Sequence, residues 1–388
     1  MIVLATLLCA YQLSLFLILV RGAAKLSPLK TETQEHLPLP SLSIVVPARN
    51  EEKTIETGLR SLVKMDYPGL QIVVVNDRST DGTREKSEAF QQKWPQIKIK
   101  NLTELPKGWL GKNHALHTGA QETQTELILF TDADVEMDEK FLKGAVRFFQ
   151  KGSLDHLGGI PQVTSRSWYL YPLIGVFGLG FSLFTRPWQG KNVKKDRAVG
   201  IGAFNLVKRS SYEAIGGHQK LSLRPDDDLK LALVMKRSGF RTDCVNGVHG
   251  MRVEWYPDFP SLARGLEKNV MTGFEYSFFL AFLSLGVFAM TFIFPFVFPF
   301  FATGKALVVA WISVGLLLMS YLGQLYLARL PLWCVPLMPL ATPIIWVIFA
   351  RACLLTHLRK GVYWRDTFYS LEALRSNRMP LPGRAKLS

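Results

Sequence analysis

Charge is scarce in this chain: Asp, Glu, Lys and Arg make up 20% of its 388 residues, against 48% hydrophobic. What charge there is leans one way, 46 Lys+Arg against 31 Asp+Glu, for a net +15. Cysteine is sparse too, with Cys9, Cys244, Cys334 and Cys353 scattered and no CxxC spacing. Such spacing supports neither a disulfide framework nor a cysteine zinc site. No GxGxxG follows the first apolar strand pattern and no GxxxxGK[ST] occurs anywhere. A dinucleotide dehydrogenase and a P-loop NTPase are thereby disfavoured. Aromatics are plentiful, 25 Phe, 11 Tyr and 9 Trp, which removes the chain from the disordered class. The length exceeds one typical domain, and the apolar residues are unevenly spread, which predicts a membrane protein with a separate polar part.

Met1–Val20 carries no charged side chain, and Arg21 and Lys25 follow at once. About 20 helical residues, at roughly 1.5 Å each, match a hydrocarbon core of about 30 Å. A cleaved signal would place its positive charge before the apolar stretch, so residues 1–21 read as a transmembrane anchor. Charge behind the anchor predicts that the next domain is cytoplasmic at a cell membrane, in a multi-pass chain. Residues 22–41 read as a polar linker. Ser277–Phe301, Ala306–Ala328 and Leu330–Ala350 are uncharged and form an expected 274–353 transmembrane region. The 354–388 tail is basic, with Arg359, Lys360, Arg365, Arg375 and Arg378 against Asp366 and Glu372, and is expected in the cytoplasm. Three full spans would leave that tail outside. The third run contains Pro331, Pro336, Pro339 and Pro343, and so is expected to be re-entrant or interfacial.

A shorter apolar run, Tyr169–Thr185, follows Trp168 and precedes Arg186, Lys191, Lys194, Lys195 and Arg197. Segment 169–197 reads as interfacial, with a buried core helix as the alternative. Much of the basic excess flanks apolar runs, so anionic lipid rather than nucleic acid is the expected partner.

Between anchor and spans, residues 42–273 read as one α/β domain. Leu42–Pro47 and Leu70–Asp77 are continuous apolar runs of the kind buried on both faces of a parallel sheet. Ile97–Lys100 and Glu126–Thr131 supply two more strands, and Glu51–Lys64 and Lys112–Thr123 have helical spacing. Strict strand–helix alternation predicts a mostly parallel sheet with crossover helices. Ligands of such sheets bind beyond the carboxyl ends of the strands. There stand PARNEE (Pro47–Glu52), NDRSTDGT (Asn76–Thr83) and DADV (Asp132–Val135). Asn50, Ser79 and Asp81 are good helix-capping types. Capping leaves Asp77, Asp132 and Asp134 unexplained. Asp132 and Asp134, two residues apart, can aim both carboxylates at one point, a donor pair for Mg2+ or Mn2+.

The set PARNE, VVVNDRSTDGT, GKNHALHTG and FTDADV resembles the inverting family 2 glycosyltransferases of the GT-A fold. LPKGWLGKNHAL, EWYPDFPSLARGLEKN and GVYWRDTFY look more specifically like the hopanoid-associated and carotenoid (diaponeurosporenoate-type) membrane enzymes. The resemblance implies that Pro47, Ala48 and Glu51 border the nucleoside and that Asp77 meets a uracil-type base edge. Lys112 would reach the nucleotide side of the pocket. Asp132 would contact ribose and metal, and Asp134 would be the main metal ligand. Asn76 and His117 depart from the commoner Asp and Asn.

The family's general base is an Asp, usually after Glu, about eleven residues before a helix-ending Gly. Counting back from Gly239 gives Asp228, with Asp227 in the Glu position. A register that pairs Leu229 with the family's leucine makes Asp226 the base instead. Relatives often carry QxxRW, which is absent here; Arg264 and Lys268 could still supply cations for the leaving diphosphate. Gly200–Asn205 and Gly216-Gly217-His218 resemble the acceptor-side strand and turn, where glycine allows either close sugar approach or a tight turn. His114, His156, His218 and His249 have no metal-ligand spacing and read as structural.

The resemblance thus implies a membrane-bound enzyme that moves a sugar from a nucleotide sugar, UDP-linked, to a lipid-like acceptor. The rival readings are an extracellular polysaccharide synthase and a catalytically silent nucleotide-sugar-binding partner subunit. The missing QxxRW weighs against the first and the intact acids against the second.

Overall fold

The computed structural model describes residues 1–29, 38–364 and 367–381. Part of the expected linker (30–37), Arg365, Asp366 and the last seven residues of the basic tail lie outside the described residues. In chain order the first elements are α1 (Ile2–Ala23), β1 (Leu42–Ala48), α2 (Ile55–Leu62), β2 (Gln71–Asp77), α3 (Thr83–Lys93), β3 (Ile97–Leu102) and α4 (Gly111–Gln121). Then come β4 (Leu127–Phe130), β5 (Val135–Met137), α5 (Phe141–Lys151), β6 (His156–Ile160), β7 (Gln162–Thr164), α6 (Tyr171–Thr185), β8 (Asn205–Lys208) and α7 (Arg209–Ala214). They are followed by α8 (Asp227–Arg237), β9 (Thr242–Asn246), β10 (Met251–Glu254), α9 (Phe259–Gly273), α10 (Phe278–Phe288) and α11 (Phe294–Val297). The last are α12 (Gly304–Leu327), α13 (Met338–Arg359), β11 (Gly361–Trp364), β12 (Thr367–Ser370) and α14 (Leu371–Ser376).

The chain divides into two units, one of residues 26–162 and 187–254, the other of residues 1–25, 163–186 and 255–381. The first unit is built on a seven-stranded sheet of order β3-β2-β1-β4-β8-β6-β9. It is parallel except on the two sides of β8, which runs antiparallel to β4 and β6. Every residue of β1 is buried, as its unbroken apolar run predicts. Ile55, Leu59 and Leu62 present one buried face of α2 to the same core. Each such aliphatic side chain contributes about 1.5–3 kcal/mol by leaving water. β5, directly after the Asp132–Asp134 turn, pairs antiparallel with β10 in a smaller sheet.

The second unit is helical and apolar. Ile2–Ala23, Trp168–Gln189, Phe278–Phe300, Gly304–Leu327 and Leu332–Arg359 are each long and apolar enough to cross a membrane. Two expectations need correction. The third C-terminal run is not broken by its prolines: a 3-10 segment, Leu332–Leu337, leads into α13, and together they are long and apolar enough to cross a membrane. Its prolines are placed where a helix tolerates them: Pro336 lies in a short 3-10 lead-in and Pro339 in the first turn. Pro343 removes the usual donor to the Pro339 carbonyl, which Thr342 Oγ1 approaches at 3.5 Å. Segment 169–197 is not one surface element either. Leu173, Ile174, Val176 and Leu179 of α6 are buried in a cluster with Leu317, Tyr321 and Ile345. Tyr321 Oη donates to Pro172 O at 2.9 Å, and Ser182 Oγ donates to Gln324 at 3.1 Å. The remainder, from Pro187 on, belongs to the sheet unit, so the expected 42–273 domain loses 163–186 and 255–273 to the helical one.

Proline also explains a polar contact on α1. Thr291 O sits four residues before Pro295, which has no N–H to offer it, and Gln12 Nε2 donates to it at 2.8 Å. The helix widens to a π turn at Ala289–Ile293 there.

Candidate active site

Because β1, β2 and β4 lie parallel and adjacent, their carboxyl ends open on one edge of the sheet. Pro47 and Ala48 close β1, opposite Val75 and Asn76 of β2. The turn beyond is knitted to the NDRSTDGT loop: Asn50 Oδ1 accepts from Thr80 N at 2.9 Å, and Glu51 N donates to Thr83 Oγ1 at 2.7 Å. Asp81 accepts from Thr83 N, the first residue of α3, at 3.1 Å, although Gly82 and not Asp81 is the N-cap residue.

Asp77 is buried at the end of β2. Arg78 Nε and Nη2 donate to its two carboxylate oxygens at 2.7 and 3.2 Å, and Arg49 Nη1 donates to its carbonyl at 3.1 Å. A side chain on Gly111 would collide with Asp77 Oδ2, so the carboxylate sits against the N-terminus of α4. That helix end favours negative charge.

The DxD turn follows β4. Lys112 Nζ, from the first turn of α4, lies 2.6 Å from Asp132 Oδ1. Asp134 is pushed up to about 7 by burial first, then by the charges of Asp132 and Glu51, with Lys112 opposing. Carboxylates so crowded are short of positive charge, which is the demand that a divalent cation meets. Among the described residues no three His, Cys, Asp or Glu side chains converge as a cation cage. The residues therefore fit a metal held by two carboxylates, with water and phosphate oxygens as the other ligands.

Of the three consecutive aspartates, Asp226 precedes α8 and is tied up structurally. Arg224, fully buried, donates to both of its oxygens at 2.9 Å. Lys230 Nζ lies 3.7 Å away. Asp228 has another setting. Its Oδ2 accepts the backbone N–H of Gly202 at 2.7 Å and its Oδ1 that of Leu229 at 2.8 Å. Gly202 O in turn accepts from Asp132 N at 3.0 Å, so the backbone of one residue joins the DxD turn to Asp228. Asp227, Asp228, Asp132, Lys112, Gly202, Asn205 and His218 line one small pocket. Burial first, against the pull of Lys112, pushes Asp227 up to about 7 and raises Asp228 as well. Burial alone would lower Lys112, but Asp132, Asp227 and Asp228 outweigh it and raise the ammonium. Lys112 is thus the shared counter-ion of the acids.

Asp77, Lys112, Asp132, Asp134, Asp227 and Asp228 therefore share one unit, whereas Arg264 and Lys268 stand on α9 of the helical unit. Lys268 Nζ there lies 4.7 Å above the Trp364 ring. Sequence reasoning missed Arg224 and Asn113, and read Gly200–Asn205 as acceptor-side without foreseeing that Gly202 bonds Asp228 and Asp132. Asn113 Nδ2 donates to Arg224 O at 2.9 Å, stapling the approach to α8 onto α4. The Asn113 contact spans 111 residues and those of Gly202 reach 26 and 70 residues away, which no local motif signals. His218 read as structural, yet it lines the cavity; the two glycines before it were the available clue.

With this geometry described, comparison with known proteins is direct. Residues 43–216 match the family model described as glycosyl transferase family 2. A probable glycosyltransferase of Bacillus subtilis, YdaM, is 29% identical over 202 residues, covering 50% of this chain and 46% of that protein. The 4,4'-diaponeurosporenoate glycosyltransferase of Staphylococcus aureus (strain USA300) is 25% identical over 241 residues, covering 60% of this chain and 61% of that one. The chain thus spans about half to three fifths of these relatives' length. Among solved structures, the mannosyltransferase PcManGT of Pyrobaculum calidifontis shares the fold, with a TM-score of 0.54 at 17% identity over 91% of this chain and 97% of that one. Residues 43–216 thus carry a domain that matches glycosyl transferase family 2, on a fold shared with the GT-A-type neighbour.

Proposed function

We propose that this protein is a membrane-bound inverting glycosyltransferase that transfers a sugar from a UDP-linked donor to a lipid-like acceptor, such as a terpenoid, carotenoid or glycolipid. The observation that carries this reading is Gly202, whose N–H holds Asp228 and whose carbonyl holds the Asp132 turn. A donor site and a base built on one rigid link suit a single displacement.

In that displacement Asp228 takes the proton from the acceptor hydroxyl. The freed oxygen pair bonds to the anomeric carbon from the face opposite the leaving group. The bond from that carbon to the diphosphate breaks, its electron pair leaves with the nucleoside diphosphate, and the sugar inverts. Asp132 and Asp134 would hold a divalent cation, Mg2+ or Mn2+, whose chemistry when bound is Lewis-acid stabilisation of the leaving diphosphate. Lys112 balances the charge of the acids, and Pro47, Ala48, Glu51 and Asp77 would border the nucleoside. Arg264 and Lys268 would offer cations to the diphosphate. The PcManGT neighbour is in complex with GDP-Man and Mn2+, which supports a nucleotide sugar and a divalent metal in general. The name of the staphylococcal relatives points to a carotenoid carboxylate acceptor. Such an acceptor is already ionised and would need Asp228 less than an alcohol does.

The five apolar helices support residence in a membrane as a multi-pass protein, and the charge behind α1 supports a cytoplasmic sheet unit. The test is release of nucleoside diphosphate from a panel of nucleotide sugars, with and without lipid alcohols and acids. Transfer from a UDP-sugar to a lipid is the expected result. Binding without any turnover would mark a silent partner subunit, and a growing polysaccharide would mark a synthase.

A further inference from the structure

The two glycines of Gly216-Gly217-His218 serve a tight turn. Both have left-handed backbones, φ 79° and 53°. A side chain on Gly217 would stand 2.6 Å from the Tyr212 ring. The turn thereby folds His218 back onto Tyr212 of α7. Tyr212 Oη accepts the backbone N–H of His218 at 3.0 Å and lies 2.8 Å from His218 Nδ1.

This pair of contacts determines which ring nitrogen carries the proton. The phenol has one proton, and among the described residues its only available acceptor is His218 Nδ1. If Nδ1 were protonated instead, the buried phenol O–H would be left without an acceptor, which is unfavourable. Tyr212 therefore donates to Nδ1, and the proton of the neutral ring sits on Nε2. That nitrogen lies 3.8 Å from Asp227 Oδ2, too long for a hydrogen bond and near enough to become one. Phe130 packs edge-on against the ring at 4.8 Å, which limits its swing. Burial first holds the imidazole well below its ordinary value, at about 3, so it stays neutral beside the acids.

We propose that His218, locked by Tyr212 as an Nε2–H donor, is a positioning residue that holds Asp227 aside and leaves Asp228 as the proton acceptor. This rests on the transferase reading and deepens it, dividing labour between two adjacent carboxylates. Asp228 is fixed by two backbone donors, whereas among the described residues Asp227 faces the His218 ring and the Lys112 charge as its attractive partners. When an acceptor enters the cavity, closure of the His218–Asp227 gap keeps Asp227 from competing for its proton.

The test uses the full chain in detergent and three variants, His218→Phe, His218→Gln and Tyr212→Phe. Phe keeps the bulk and removes the donor; Gln can place an amide N–H near the Nε2 position. His218→Phe should lower kcat by about tenfold or more with donor KM unchanged, and His218→Gln should recover most of it. Tyr212→Phe should fall between them. Wild-type kcat in His218→Phe, or equal losses in Phe and Gln with weakened nucleotide binding, overturns the assignment in favour of plain packing. Absence of transfer by the wild type overturns the transferase reading instead. Nitrogen NMR of 15N-histidine-labelled protein gives a readout apart from activity. The Nε2–H tautomer at His218, unchanged from pH 5 to 9, is expected there, and an Nδ1–H tautomer overturns the inference whatever the kinetics.

Discussion

The backbone N–H of Gly202 points at Asp228 Oδ2 from 2.7 Å. A methyl group on this glycine would stand 2.5 Å from Asp132 Oδ2 and 3.3 Å from Lys112 Nζ. Gly202→Ala should therefore push Asp132 and Lys112 apart and disturb the peptide that fixes Asp228. We expect kcat/KM to fall by about 10² with the unfolding transition nearly unchanged, since misplacement of this size disrupts reacting geometry more than packing. Steady-state kinetics beside a melting curve would check it. Retained activity would show that the peptide link does not matter to transfer.

Asp226 and Asp228 should fail in different ways. Asp228→Asn is close in shape and keeps room for donor and metal, yet it removes the proton acceptor. Its turnover of an alcohol acceptor should drop by about 10² or more. Asp226→Asn removes the carboxylate that the fully buried Arg224 guanidinium holds through two hydrogen bonds. Breaking a buried pair costs about 3–5 kcal/mol, so this variant should lose stability first. Denaturation midpoints and kcat for both variants separate the roles. A stable but dead Asp226→Asn would place the base two residues earlier.

Asp134→Ala should keep the fold and lose metal-dependent donor affinity. The side chain sits on the edge of the sheet beside Asp132 and Glu51, where like charges crowd. Its removal relieves that repulsion, so stability should hold or rise slightly. Titration calorimetry of the nucleotide with and without Mn2+ is the check, and an unchanged Mn2+ effect would remove Asp134 from the metal site.

Much of the sheet unit was legible because its strands are unbroken apolar runs. LSIVVP could hardly be anything but a strand buried on both faces, and the acids after it, after Val75 and after Phe130 marked one edge. Choosing among Asp226, Asp227 and Asp228 was harder, since identical neighbours carry no local distinction. Their partners Arg224, His218 and Gly202 distinguish them, and only the fold brings His218 and Gly202 close. The helical unit was read less well for two physical reasons. Proline content alone misled at Leu330–Ala350, where position within the helix decides the cost. At α6, aromatic and basic flanks suggested an exposed face, whereas Tyr321 and Gln324, about 150 residues on, bury it.

Stability against pH should bear the mark of His156. The ring is fully buried and its Nε2 lies 2.7 Å from Asn205 Oδ1, so it serves as a neutral donor. Burial lowers it from 6.5 to about 4, with the Asn205 bond opposing. Above pH 6.5 the ring is neutral whether the chain is folded or not, and nothing is lost. As pH falls below 6.5 the unfolded chain binds a proton that the folded one refuses, so stability declines until about pH 4. The full decline from this residue is on the order of 3 kcal/mol, a shift of about 2.5 units at 1.36 kcal/mol each. His156→Gln retains an amide donor toward Asn205 and cannot titrate. Its urea midpoint should therefore vary less between pH 8 and pH 5 than that of the wild type, even if it starts lower. Tryptophan fluorescence in detergent would follow both transitions, and parallel pH dependences would show that His156 contributes nothing to the acid limb.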